Sequence, residues 1–310
     1  MILEDPVIGA LVLALLSASF FAVGSAVQHQ SAGTAPRSSK RKMVLELVRR
    51  RGWLLGAGLS AVAFALHAVA LTIGELSVVQ PAILTGIVFS VVARSALERH
   101  LPTRGEAVWV IVTWAGLALF LLVLHPDPPR QPDRTAALIM LGLAVVLVLV
   151  MGYLARRSER RRLLRGILLG SSAGILFGLV AGLLKLSSTT ARQDLGQLLG
   201  QWPVWLLVVL GGSAVLLNQR AYQSTRMSVS TPVLNICQLF VSLAFGVVVF
   251  HERLFASPGR MIIELAGLAI MVFGVVRLAM LAAPQSDGPG RADDDARATA
   301  VADGPAADTR

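Results

Sequence analysis

Twenty residues from Thr135 to Leu154 pass without one charged side chain, and most of them are Leu, Val, Ile or Ala. That is the length a bilayer's roughly 30 Å hydrocarbon core requires of a helix rising about 1.5 Å per residue. The run does not alternate apolar and polar positions as a barrel strand does, so it has to be a helix that satisfies its own backbone. Similar runs predict helices over approximately 7–27, 53–73, 78–97, 107–124, 135–154, 166–186, 203–221, 228–250 and 261–282. With 55% hydrophobic and 15% charged residues, the chain is far poorer in charge than a soluble domain. The expected fold is an all-α polytopic membrane protein of about nine transmembrane helices. Glu4 and Asp5, not a basic region, precede the first run, so it reads as a retained helix and not as a signal peptide.

A formal net charge of +10 could mark a nucleic-acid partner, but the cations fall between helices in a lopsided pattern. Arg37, Lys40, Arg41, Lys42, Arg49, Arg50 and Arg51 lie between the first two runs, and Arg156, Arg157, Arg160, Arg161, Arg162 and Arg165 lie between the fifth and sixth. Loops on the other face are poorer: Gly74–Leu76 has no cation, 125–134 has Arg130 and Arg134, 187–202 has Arg192, and 251–260 has Arg253 and Arg260. The positive-inside rule therefore predicts an integral protein of the plasma (inner) membrane with the N-terminus outside and the C-terminus cytoplasmic. No nucleic-acid partner is expected; the partners are the lipid bilayer and a small-molecule substrate, and homodimer formation stays open. The 284–310 tail, with Asp293-Asp294-Asp295 and no apolar face, should be a disordered cytoplasmic end. The single cysteine, Cys237, offers neither a disulfide nor a thiolate metal site.

The two halves of the chain repeat one another. Ala70, Ser77-Val78 and Pro81 recur 151 residues later as Ala221, Ser228-Val229 and Pro232, and Ala115-Gly116-Leu117-Ala118 recurs as Ala266-Gly267-Leu268-Ala269 at that same separation. Glu98-Arg99 and Glu252-Arg253 fit with a three-residue slip. Under the expected topology the copies run in opposite directions through the membrane, the build of many secondary transporters. The domains expected are a first inverted repeat over 1–124 with four helices, a second over 135–282 with five, and the tail.

A short loop, Ser-Val, Pro four residues after the Ser, an apolar helix ending in Glu-Arg and a helix with Ala-Gly together resemble the drug/metabolite transporter (EamA-like) superfamily. The likeness covers roughly 53–124 and 203–282. Members commonly have two inverted five-helix halves; here the basic stretch 29–52 stands where a second helix would be, which resembles the branch of NIPA-type magnesium transporters. The branch's Leu-Val-x-Pro is similar to Val78-Val79-Gln80-Pro81, and its His-x-Pro to His125-Pro126. The resemblance implies transport. The branch's intramembrane Gly-Glu, however, aligns with Ala63-Phe64, so the carboxylate a hard divalent cation would want is absent. No run has an acidic residue near its middle; Glu264 lies about a turn into the last. A neutral, zwitterionic or anionic solute fits better than a cation, with magnesium transport and a non-transporting scaffold as the alternatives.

The candidate pathway residues are polar groups inside apolar runs. Ser228, Thr231, Asn235, Gln238 and Ser242 are spaced three, four, three and four, which puts them on one helix face. They could line a pathway or hydrogen-bond neighbouring helices. Gly166, Gly170, Gly174, Gly178 and Gly182 form a ridge on which another helix can pack closely. Lys185 should snorkel to the interface, or else counter an anionic group in the pathway. Asn218 and His67 join the candidates, His67 as a hydrogen-bonded imidazole. Pro81 and Pro232 each free a backbone carbonyl and are candidate helix breaks at equivalent positions. No catalytic constellation, metal-ligand cluster, cofactor motif or nucleotide-binding loop is present, so no enzyme, metal site or cofactor is expected.

Overall fold

The computed structural model describes residues 6–33, 51–98, 101–124, 131–158, 161–191, 200–224, 227–254 and 257–282. The 284–310 tail and most of the basic loop after the first span lie outside the described residues. Ten α-helices follow one another: α1 (Pro6–Gly33), α2 (Arg51–Ile73), α3 (Leu76–Leu84), α4 (Gly86–Glu98), α5 (Arg104–Val123), α6 (Arg134–Arg157), α7 (Arg162–Ala191), α8 (Trp202–Ser224), α9 (Met227–Val249) and α10 (Pro258–Ala282). α3 and α4 form one span, so nine segments among the described residues are long and apolar enough to cross a membrane. Leu55, Ile111, Leu143 and Ile262 each leave about two thirds of their surface on the outside of the bundle. Water would penalise such a surface; lipid does not. The chain is an integral membrane protein.

Local chemistry sets several helix starts. Thr103 Oγ1 accepts from the Glu106 amide at 3.3 Å while Glu106 Oε2 accepts from the Thr103 amide at 2.8 Å, a reciprocal capping box that opens α5. Asp133 caps α6 by accepting from Thr135 and Ala136 amides at 2.9 and 3.0 Å. Its own amide donates to Val249 O, which ties the start of α6 to the end of α9. Arg156 and Arg157 in the last turn of α6 complement its dipole.

Helix pairing follows the small residues. α1 lies along α2, where a Cβ on Gly24 would be 2.8 Å from Gly56 O and one on Gly56 would be 2.7 Å from Gly24 O. Ser17 Oγ donates to Ala63 O across the same seam at 2.7 Å. α7 packs on α8 and on α9. The glycine ridge of α7 seats α9: an added Cβ would meet Ser230 O from Gly170, Leu234 O from Gly174, Gln238 O from Gly178 and the Phe245 ring from Gly182.

α5 and α10 cross at Gly116 and Gly267. A Cβ on Gly267 would stand 2.6 Å from Phe120 N, and one on Gly116 would be 2.8 Å from Gly267 O. These are the glycines of the repeated Ala-Gly-Leu-Ala, so the two copies of that motif touch each other. Leu117, Phe120, Leu268, Met271 and Val275 close over the crossing in one buried cluster.

The third span is interrupted, but not at its proline. Pro81 lies inside α3, and the break falls at Thr85, whose amide and Oγ1 both donate to Ala82 O at 3.2 and 2.6 Å. α9 runs unbroken through Pro232. The expected pair of equivalent breaks is therefore corrected: one break exists, four residues past Pro81. A proline this early in a helix displaces few intrahelical bonds, so both helices accommodate theirs.

Candidate functional site

α1–α4 and α7–α9 enclose a cavity of about 700 Å³, within the range of small-molecule sites. Thr231, Asn235 and Gln238 line it from α9, Asn218 from α8, and His67 and Gln80 from α2 and α3. Three of the five stripe residues thus share the cavity. The side chain of Ser228 lies outside the described residues. Ser242 is buried elsewhere, donating to Leu239 O at 2.8 Å, because beyond Gln238 the helix enters packed core around Leu243 and Phe245.

Gln80 Nε2 lies 3.2 Å from His67 Nε2, so an amide and an imidazole are joined on the cavity wall. Asn218 Oδ1 is buried with no hydrogen-bond partner among the described residues. The remaining wall is largely apolar, with Phe21, Phe64, Phe177, Ile83 and Leu207. Among the described residues the lining contains no carboxylate, ammonium or guanidinium group. Glu264 is buried in α10 and does not reach the lining.

The lining positions recur at the sequence separation found above. Phe64 and Val215, His67 and Asn218, and Gln80 and Thr231 are each 151 residues apart. So are Ile83 and Leu234, Leu84 and Asn235, and Ile87 and Gln238. Of the lining residues on α2–α4, only Gly86 and Ser90 lack a lining counterpart. α1 and α7 correspond too, at a separation of 159: Ala18 with Phe177, Phe21 with Val180, Ala22 with Ala181, Ser25 with Leu184.

A buried ionic cluster is built on residues close in sequence to the lining. Glu252 Oε1 accepts from Lys185 Nζ at 2.6 Å and from the Leu76 amide at 2.8 Å, and Oε2 accepts from the Ser77 amide at 2.9 Å. The carboxylate thus fills the N-terminus of α3, where free amides and the helix dipole favour an anion. Lys185 follows the lining residue Leu184, and Ser77 lies a turn before the lining residue Gln80. The ammonium also stands 4.6 Å from the centre of the Phe250 ring. Snorkelling of Lys185 is therefore corrected: it is buried and paired with a carboxylate from this chain. Gly246 and His251 shape the turn that delivers Glu252: a Cβ on Gly246 would lie 2.5 Å from Glu252 Oε2, and His251 has φ of 55°. At the other end of the third span Arg94 pairs with Glu106, linking α4 to α5.

The residues missed from sequence include Gln80, Ser90, Ser25 and the wall contributed by α1. Gln80 had a signal. It sits inside the repeated motif, at the position that translates onto Thr231.

An uncharacterised protein of Corynebacterium glutamicum is 24% identical over 277 residues, covering 87% of this chain and 94% of its own length. An Arabidopsis thaliana protein described as a probable magnesium transporter, NIPA9, is 23% identical over 256 residues, covering 78% of this chain and 73% of its own. No family model and no solved structure matches the chain. A helical membrane protein with nine spans among the described residues and a distant relative described as a probable transporter is what the fold, the cavity and these similarities amount to.

Proposed function

We propose that the protein is a secondary transporter that moves a small polar solute through the cavity by alternating access. The observation that carries this reading is the lining: both halves contribute to one cavity, at positions 151 residues apart for α2–α4 and 159 apart for α1. Two inverted repeats, 1–124 and 135–282, meeting at a central site would produce that correspondence. In this reading the Lys185–Glu252 cluster is a closed gate, because it ties α7 and the segment after α9 to the start of α3. The distribution of arginines supports an extracytoplasmic position for that gate, and the membrane in this reading is the plasma membrane. No cofactor and no catalysis enter this reading.

The similarity to NIPA9 supports transport in general and favours magnesium as the second reading. Against magnesium stands the donor set: Mg²⁺ is held through carboxylate oxygens and retained waters, and the lining offers amides, hydroxyls and an imidazole. A membrane scaffold that transports nothing is the contrasting class.

Purified protein in liposomes tests the reading when cysteines replace Lys185 and Glu252 in a Cys237→Ala background. Saturable solute uptake that stops on treatment with a short bifunctional thiol reagent, and returns on its cleavage, is expected. No saturable uptake across a broad solute panel would leave the scaffold.

A further inference from the structure

The walls of the cavity decide which solutes it can hold, and each charge class can be set against the groups that would have to receive it. A cation needs a carboxylate or a ring of freed carbonyls. Among the described residues no lining side chain is a carboxylate. The break in the third span does not supply carbonyls either: Thr85 is fully buried, is not part of the lining, and turns its hydroxyl back onto Ala82 O at 2.6 Å.

An anion, or the carboxylate of a zwitterion, needs a cation or a helix N-terminus. Both exist beside the cavity, and both are already taken. Glu252 occupies the ammonium of Lys185 and the amides of Leu76 and Ser77 at once, with distances of 2.6, 2.8 and 2.9 Å. A charged solute in this cavity would leave water for a wall with no countercharge, which costs several kcal/mol even after relaxation in general.

What the wall does offer is a line of uncharged hydrogen-bonding groups. Thr231, Asn235 and Gln238 follow one another along α9, spanning about 10 Å at the helical rise. The His67–Gln80 pair adds polar groups from α2 and α3. Aromatic and aliphatic side chains make up the rest, so the wall mixes uncharged polar groups with apolar surface.

We infer that the cavity binds an uncharged amphipathic solute, with a ring-sized apolar body and hydrogen-bonding groups on it, such as an amide or an amino-heterocycle. This rests on the transport reading for the direction of flux but not for binding. Asn235 is the specificity-determining residue: its amide side chain lies in the lining and selects a hydrogen-bonding group on the solute, as sites built to hydrogen-bond a group reject analogues that lack it.

Full-length protein in liposomes, tested for uptake and for thermal stabilisation with nicotinamide, uracil and adenosine beside glutamine, glutamate, tetraethylammonium and Mg²⁺, examines the inference. At least one uncharged probe should bind and enter saturably, with every charged probe weaker by about 100-fold or more. Asn235→Leu should weaken that probe about tenfold, and Asn235→Asp should weaken it as well while admitting tetraethylammonium. Should Asn235→Leu fail to fold, Thr231→Val reads the same wall with a smaller expected loss. Saturable binding of Mg²⁺ or another charged probe with none uncharged overturns the inference and leaves transport standing. An uncharged probe that binds without entering upholds the inference and removes transport. No binding by any probe overturns the inference whatever the fate of the transport reading.

Discussion

Lys185 Nζ and Glu252 Oε1 lie 2.6 Å apart although 67 residues separate them, and the carboxylate that holds the ammonium also caps α3. Removing either partner leaves the other charge buried, a change that typically costs about 3–5 kcal/mol, whereas replacing both with neutral groups costs much less. Glu252→Gln and Lys185→Met should each lower the thermal unfolding temperature of the purified protein, and the double variant should recover part of the loss. The double-mutant cycle measures the coupling directly. Additive losses would show that the two side chains act separately.

Gly246 gives this carboxylate its room. An added methyl would lie 2.5 Å from Glu252 Oε2 and 2.9 Å from Cδ, and the movable atoms there belong to the carboxylate. Gly246→Ala should therefore reproduce the Glu252→Gln loss, and combining the two should add little. A Gly246→Ala protein as stable as the parent would mean that the carboxylate moves aside at no cost.

Gly116 and Gly267 face backbone and not side chains, so nothing flexible can give way. A Cβ on Gly116 would fall 2.7 Å from Met271 Cα, and one on Gly267 would fall 3.0 Å from Phe120 Cα. Either alanine should force α5 and α10 apart and cost about 1–3 kcal/mol, the usual price of overpacking. Gly58 and Gly142 have nothing within 4 Å of an added Cβ, so alanine there should be neutral or stabilising by up to about 1 kcal/mol through helix propensity. Thermal unfolding of the four single variants in one detergent checks the contrast.

The spans were legible in the sequence because length and hydropathy alone decide what can cross a bilayer. The repeat was legible as well, but not what it meant. That Ala-Gly-Leu-Ala occurs twice says nothing of one copy lying against the other, which only the crossing at Gly116 and Gly267 reveals. Lys185 was misjudged because its partner lies beyond the end of another helix, where no periodicity points to it. Of the polar stripe, Thr231, Asn235 and Gln238 line the cavity, and Ser242 enters packed core, a difference no spacing in the sequence marks. α1 contributes Ala18, Phe21, Ala22 and Ser25, mostly side chains that resemble any lipid-facing or packed position. Translating the stripe by the repeat separation would have found Gln80, and translating Asn218 gives His67.

The stripe itself makes the sharpest test of the site, because adjacent positions on α9 have different surroundings. Cysteines at Thr231, Asn235 and Gln238, in a Cys237→Ala background, should react with a small polar thiol reagent that reaches the cavity. Ser242 is fully buried and Phe240 is half exposed on the outer surface of the bundle, facing lipid in a membrane, so cysteines at both should resist. Leu239 is buried but belongs to the lining, so it should react slowly and not serve as a protected control. Asn235→Leu and Gln238→Leu should then depress flux far more than stability, since a membrane hydrogen bond averages only about 0.6 kcal/mol. Equal labelling at 231, 235, 238 and 242, or full flux in both leucine variants, would make these side chains structural contacts between helices and remove them from the pathway.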